Sequence, residues 1–485
     1  LERKPPPGTE SSGGVCVNKR KGNVKNSISV HIFLGDSLVT NDTGVEHHPQ
    51  NIPDEIGYDR IRDAFRSKSE IAYQGAVQRL DNKRTHLKQN PKPADNAAVP
   101  EFKRMPPAVW IGPSALTNPC PVTDMEQLSN RLSKVFSDYP ELFNHCVKVY
   151  QKRVDYYRLT SEGQKILQPD TAFHITARAI IKTDGNEVKT EYYRLHVGGI
   201  NDLPSEDALI GELHQFAQYM RQKSRAKAVE DLYIGPVLYE DDAAMELLAR
   251  KIADHSHSYW ISIRNQSDRK HRYLGKQVFP PALSVCQLGS DSVYNGVKLL
   301  GYRQVDADGT KPMTLPIIEK GILKHMLTGR TPSLGCPAST GNEHFDGLSR
   351  SLETRYIAGV FHVTSNRPVP YSKLYKRFLK AAKKAGLEHT YIIRKNRTSP
   401  YALIRVDLST GKEELVEGNY NAPSREQFKR MHAISKEENV YNLDPAGGKG
   451  LGIISPKAIL LEDMELDITP SRARHIDEAF YELRH

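Results

Sequence analysis

The sequence predicts an α+β protein, in which an N-terminal antiparallel sheet covered by helices is followed by a β-rich, sandwich- or barrel-like region. The chain has 485 residues, more than one hydrophobic core usually organises. Apolar and polar residues alternate over residues 146–197, which is typical of antiparallel strands. After residue 257, strand-like segments recur with turn residues between them. These observations predict two domains, at residues 1–229 and 230–485.

The elements of the first domain follow from the periodicity of apolar residues. Residues 26–36 alternate and are predicted to form a half-buried strand. Apolar side chains at a period near 3.6 residues predict helices at 58–88, 124–138 and 205–224. Ser205 is a suitable N-cap for the third of these helices, since its hydroxyl can accept from a free backbone N–H. The alternating segment between the last two helices predicts three or four antiparallel strands.

The second domain is predicted to begin with a strand and an amphipathic helix at residues 235–257. Ala244, Leu248 and Ile252 recur at helical spacing, so one side of this helix faces a core. The acidic residues at 240–242 suit the positive end of a helix. Further strands are predicted towards the C-terminal region, interrupted by a short basic helix at 372–386.

Composition narrows the classes of function. The hydrophobic fraction is 38%, the charged fraction 26% and the formal net charge +10. This mild basic excess, without a long Lys/Arg block, predicts no specific nucleic-acid binding. No apolar run approaches the roughly 20 residues that span a bilayer, so no membrane span is predicted.

Cysteine usage bears on the compartment and on metal binding. The five cysteines show no Cys-x-x-Cys spacing, which argues against a disulfide framework and a zinc ribbon. This pattern predicts a cytoplasmic protein. The chain starts at Leu1 rather than at a methionine, so export through a preceding signal is the alternative.

Four segments, in this order along nearly the whole chain, resemble the TldD/PmbA family, whose members are also called modulators of DNA gyrase. The resembling segments are 235–248, 275–288, 305–327 and 340–342. The resemblance implies a metallopeptidase-like protein that forms a homodimer, or a heterodimer with a family partner. It also implies a cleft for an extended peptide.

The resemblance also locates a metal motif. Active members carry His-Glu-x-x-x-His on the helix after the first segment, and a later cysteine, a set that suits zinc and a general base. On this chain the first His falls on Ala249, the Glu on Arg250 and the second His on Asp254. Ala249 has no lone pair, Arg250 is a permanent cation, and no cysteine follows Cys336. The prediction is therefore a degenerate member without catalytic residues, metal ligands or cofactor.

Two hypotheses about function remain. The first is a non-catalytic, pseudo-metallopeptidase subunit that takes part in peptide binding or processing. The alternative is an active metallopeptidase with a non-standard zinc site around Asp254, His255 and His257, because a His-x-His pair on a strand points both rings to one face. The sequence leaves open which of the two holds, and with it whether the chain is an enzyme.

Overall fold

The computed structural model describes residues 8–20, 26–28, 30–41, 50–52, 57–92, 99–183, 187–256, 270–330, 335–343, 359–399, 401–443 and 450–469. Over these residues the helices are α1 Tyr58–Gln89, α2 Val122–Ser133, α3 Glu206–Ser224, α4 Asp242–Ser256, α5 Tyr371–Lys384 and α6 Arg425–Lys429. None of the helices in the described ranges combines the length and the apolar character that crossing a membrane requires.

The described residues also contain 24 strands, most of them short. In chain order they are β1 Gly8–Ser12, β2 Val15–Arg20, β3 Asn26–Ile28, β4 Gln50–Ile52, β5 Val109–Ile111, β6 Asn144–Leu159, β7 Lys165–Lys182, β8 Val188–Val197, β9 Lys227–Ala228, β10 Asp231–Asp241, β11 Leu283–Gln287, β12 Val293–Tyr294, β13 Val297–Lys298, β14 Leu315–Glu319, β15 Ile322–Leu323, β16 Gly359–Ser365, β17 His389–Lys395, β18 Thr398–Ser399, β19 Ala402–Asp407, β20 Glu413–Glu417, β21 Met431–Ile434, β22 Glu438–Leu443, β23 Leu451–Pro456 and β24 Ala458–Ile468.

The first sheet has the strand order β18-β8-β7-β6-β1-β2, with β5 parallel to β7. Its long strands β6, β7 and β8 are antiparallel, as the alternation predicts. Helices α2 and α3 cover one face, where buried side chains such as Phe136, Phe173 and Phe216 form a core. The hydroxyl of Ser205 accepts from the Ala208 N–H, so the predicted cap of α3 is confirmed.

The prediction of a strand over residues 26–36 is wrong beyond Ile28. Asn26–Ile28 pairs with β4 in a small separate sheet, whereas residues 30–36 form no strand apart from an isolated bridge at Gly35. The side chain of Asn41 takes the backbone groups that a neighbouring strand would pair, because its amide accepts from Leu34 N–H and donates to the Ile32 carbonyl, both at 2.8 Å. Local side-chain bonds of this kind replace a sheet ladder.

The second and third sheets are open and form the β-rich region that the sequence predicts. The second sheet runs β21-β24-β10-β17-β19-β20-β9, and the third runs β15-β14-β11-β16-β23-β22. A shared cluster of buried apolar side chains, here called the central core, includes residues of both sheets and of α4, such as Val237, Leu248, Phe361 and Ile453. Helix α4 contacts β10 and β17 of the second sheet and β23 of the third.

The other face of the second sheet is covered by α5. Leu374 and Phe378 of α5, both fully buried, pack with Leu238 and Leu460 of the sheet in a second apolar cluster. The outer side of α5 carries only lysine and arginine among its charged residues. Gly386 follows the helix with φ +71°, which suits a residue without a side chain after the last turn.

The first sheet is joined to the later half of the chain by pairing and by charge. Strand β18 pairs antiparallel with β8 through Thr398 and Ser399. The side chain of Arg397 lies 2.6 Å from Glu212 of α3, and Lys189 lies 2.7 Å from Glu417. The division at residues 229/230 remains a prediction, and these contacts cross it.

Candidate binding site on helix α4

The start of α4 is fixed by three consecutive acidic residues, two that end β10 and one that begins the helix. The carboxylate of Glu240 is buried and accepts from Arg394 Nε at 2.6 Å. Asp241 has φ +54°, a left-handed conformation that turns the chain from strand to helix. Asp242 Oδ2 accepts from the Arg397 N–H at 2.6 Å, and burial raises the pKa of Asp242 to about 6. The acidic run therefore anchors the helix as well as complementing its positive end.

Two faces of α4 have different surroundings. Ala244, Leu248 and Ile252 are fully buried in the central core, and Ala249 is 1% exposed beside them. A second stripe at i, i+3, i+4 and i+7 lines a cavity, and its members are Ala243, Glu246, Leu247 and Arg250. The position of the family's first histidine is thus in the core, and the position of its glutamate faces the cavity.

The cavity has a volume of about 270 Å³. Its walls come from four parts of the chain that lie far apart in sequence: α3, β10 with α4, the start of β19, and the segment from β20 to Pro423. Tyr239, Tyr401 and Tyr420 are the aromatic residues nearest to the α4 stripe, and Leu403 and Val416 add apolar wall. The cavity therefore combines apolar walls with several hydroxyls.

Most charges that line the cavity are compensated. Glu246 forms an ion pair with Lys395 and accepts from the Tyr401 hydroxyl at 2.5 Å. Glu417 lies 2.7 Å from Lys189, and Lys223 forms an ion pair with Glu191. Arg250, by contrast, has neither a hydrogen bond nor an ion pair with any residue in the described ranges. One positive charge is left without a partner there.

Phenol groups surround this charge. Tyr239 is 4% exposed, and its buried hydroxyl has no hydrogen-bond partner among the described residues. Burial raises the pKa of Tyr239 above its ordinary range. Burial also raises the pKa of Tyr420, helped by Tyr239 and Tyr401 and opposed by the positive charge of Arg250. These hydroxyls are neutral at neutral pH, so they add no charge to the cavity.

The predicted alternative metal ligands lie where α4 meets an undescribed part of the chain, and they remain a prediction. Asp254 and His255 lie in the last turn of α4, so His255 is helical rather than on a strand, and their side chains are outside the described part. His257 lies outside the described residues altogether. Among the side chains that are described, no three His, Cys, Asp or Glu residues are grouped closely enough to hold a metal ion.

The residues at the first two motif positions do not fit a zinc site. Ala249 offers no donor atom and is enclosed by the central core, and Arg250 is a cation that repels a divalent metal. Cys336 is buried in the same core and is not part of a disulfide bond. The motif's chemistry is therefore missing at these two positions.

The tyrosines of the cavity were not predicted from the sequence. Tyr239 lies in β10, whereas Tyr401 and Tyr420 follow it by more than 150 residues. They reach α4 only because β10 pairs with β17, and β17 with β19. Only one feature of the sequence points to this cavity, namely that Arg250 stands where the family motif has its general base.

Comparison with known proteins finds one matching family and several proteins of similar fold. Residues 234–362 match the family described as the PmbA/TldA metallopeptidase C-terminal domain. No curated protein matches the chain by sequence. A candidate modulator of DNA gyrase from Thermotoga maritima has a similar structure, with a TM-score of 0.56 and 13% identity over 95% of this chain and 93% of that one.

Two further solved structures share the fold. TldE from Thermococcus kodakarensis gives a TM-score of 0.54 at 11% identity, with coverage of 95% of this chain and 94% of that one. A candidate modulator of DNA gyrase from Bacteroides thetaiotaomicron gives 0.53 at 13% identity, with coverage of 88% and 87%. At these identities the structures establish the fold, and the matched segment establishes the kind of domain.

Proposed function

We propose that this chain is a metallopeptidase-like member of the TldD/PmbA family, and that it is a non-catalytic subunit that takes part in binding or processing peptides. The observation that carries the proposal is the surroundings of the first two motif positions on α4. Ala249 is packed into the central core and Arg250 faces a cavity, so neither a metal ligand nor a general base stands at these positions.

Peptide binding is supported by an unpaired sheet edge beside the cavity. Only Val416 and Glu417 of β20 pair with β9. The outer edge of β20 from Glu413 to Leu415 has no strand partner among the described residues. An extended peptide can add to such an edge through backbone hydrogen bonds, with side-chain pockets giving selectivity.

Assembly with a second subunit is part of the proposal. A subunit that binds peptide but lacks the metal motif needs a partner subunit that cleaves the peptide. The family resemblance implies a homodimer or a heterodimer with a family partner. Light scattering coupled to gel filtration tests the homodimer, for which twice the mass of the chain is expected. A monomer that also fails to associate with an added TldD/PmbA-family protein would remove this part of the proposal.

Metal and activity measurements test the absence of catalysis. After incubation with zinc and dialysis, the protein is expected to retain far less than one zinc per chain and to leave peptides uncleaved. One retained zinc together with peptide cleavage, both lost in Asp254→Ala or His257→Ala, would establish the alternative metallopeptidase. His432→Ala is the matched control, because His432 is on the surface and pairs with Glu462 at 3.2 Å.

A further inference from the structure

The described side chains around the cavity beside α4 leave one positive charge unpaired, which suits a ligand with a single negative charge. Four charged residues line it, and three of them, Lys223, Glu246 and Glu417, are paired with other protein groups. The guanidinium of Arg250 is the fourth, and it has no partner among the described residues. Because two carboxylates share the lining, a dianion such as phosphate would be repelled more strongly than a monoanion.

Donor groups and apolar walls define the ligand further. Arg250 supplies charged donors to the cavity, whereas the hydroxyl of Tyr239 has almost no accessible surface and does not reach a ligand there. Leu247, Leu403 and Val416 provide apolar surface in the same space. A ligand with one anionic acceptor and a small apolar part would satisfy both kinds of wall.

The size of the cavity sets an upper limit on the ligand. Its volume of about 270 Å³ is just below the roughly 300–1,000 Å³ of pockets that enclose drug-sized molecules. The space therefore accommodates one end of a chain rather than a whole peptide. The unpaired edge of β20 reaches this cavity at Leu415, which belongs to its walls.

We propose that the cavity binds a carboxylate group, held by the guanidinium of Arg250. Guanidinium and carboxylate match in a planar, two-bond geometry that an ammonium group cannot form. The identification of the ligand as a peptide end rests on the proposed peptide-binding function. The carboxylate itself can belong to a peptide C-terminus or to an acidic side chain, and the experiment separates these sources.

Fluorescence anisotropy with labelled octapeptides tests the proposal. One neutral peptide carries a free C-terminal carboxylate, a second is its C-terminal amide, and a third is an amide with an internal glutamate. The wild type is expected to bind the free acid about 10- to 100-fold more tightly than the amide. Arg250→Gln should reduce this ratio to about 1 and Arg250→Lys should retain part of it, whereas Tyr239→Phe should leave it unchanged.

The matched control is Arg377→Gln, which removes an exposed arginine on α5 and should leave the ratio unchanged. Arg250-dependent binding of the glutamate-containing amide would assign the carboxylate to a side chain. A small probe, N-acetyl-leucine compared with N-acetyl-leucinamide in a thermal shift assay, tests the cavity without a peptide. The acid alone is expected to raise the Tm, and only when Arg250 is present.

The outcomes distinguish the two proposals. If the free acid, the amide and the glutamate-containing amide all bind the wild type equally well, the peptide-binding function stands and the carboxylate site is wrong. If no peptide binds but N-acetyl-leucine raises the Tm through Arg250, the carboxylate site stands and peptide binding is wrong. If no probe binds, both proposals are wrong.

Discussion

Restoring the first histidine of the family motif is expected to destabilise this protein rather than to rebuild its metal site. In Ala249→His an imidazole must enter a position that is 1% exposed, beside Leu248 and Ile252, which are fully buried. Overpacking a core costs about 1–3 kcal/mol. A buried ring nitrogen without a partner costs about 1–3 kcal/mol more. The sum, about 2–6 kcal/mol, is a large part of the about 5–15 kcal/mol that a domain has in total.

Thermal unfolding followed by circular dichroism measures this cost. Ala249→His should lower the Tm by at least about 4 °C. Arg250→Gln is the control on the same helix, since Arg250 is half-buried against a cavity and its replacement should change stability by no more than about 0.5 kcal/mol. An unchanged Tm for Ala249→His, with one zinc bound when Arg250→Glu and Asp254→His are added, would refute the argument.

Three further predictions concern pH, a buried hydroxyl and the domain division. Burial raises the pKa of Glu191 from 4.5 to about 7, so the fold favours the protonated acid. Stability should therefore fall between about pH 4.5 and 7, by at most about 3 kcal/mol, and Glu191→Gln should flatten this slope in urea titrations. Tyr239→Phe should leave the Tm unchanged or raise it, because no hydrogen bond of the Tyr239 hydroxyl is lost. Residues 1–229 expressed alone should be insoluble, because they lack β18, which pairs with β8, and Arg397, which pairs with Glu212. Co-expression with residues 230–485 should restore their solubility.

Each of these expectations has a contrary result. An equal or steeper pH slope in Glu191→Gln would show that Glu191 is ionised in the fold at low pH. A fall in Tm above about 2 °C for Tyr239→Phe would show that the hydroxyl has a partner. A soluble, cooperatively folded 1–229 fragment would show that the contacts across residues 229/230 are dispensable.

Local elements could be predicted from the sequence because their signals are local. The helix at 58–88 and the antiparallel strands at 146–197 follow from periodicity, and the structure has them as α1 and β6–β8. The strand prediction failed over residues 30–36 because the side chain of Asn41 bonds with the backbone of Ile32 and Leu34. Periodicity contains no information about such a contact.

The site was predictable only in part. The motif alignment locates the lost chemistry at Ala249 and Arg250, and a helical wheel places them on different stripes of α4. The helical wheel does not show which residues pack against either stripe. Tyr401 and Tyr420 reach the cavity through the parallel pairing of β10 with β17, a register that no local pattern in the sequence specifies.

The position of β10 has a consequence for how the chain folds during synthesis. Leu238 of β10 lies between Ile392 and Leu460, so both neighbours of this central, apolar strand are translated more than 150 residues later. At about 5–20 residues per second the ribosome needs roughly 10–45 s to reach β24 after β10 has emerged. β10 has two open edges until β17 emerges and one until β24 emerges, and open edges invite pairing with other nascent chains. The nascent chain should therefore depend on chaperones more than its folded stability suggests.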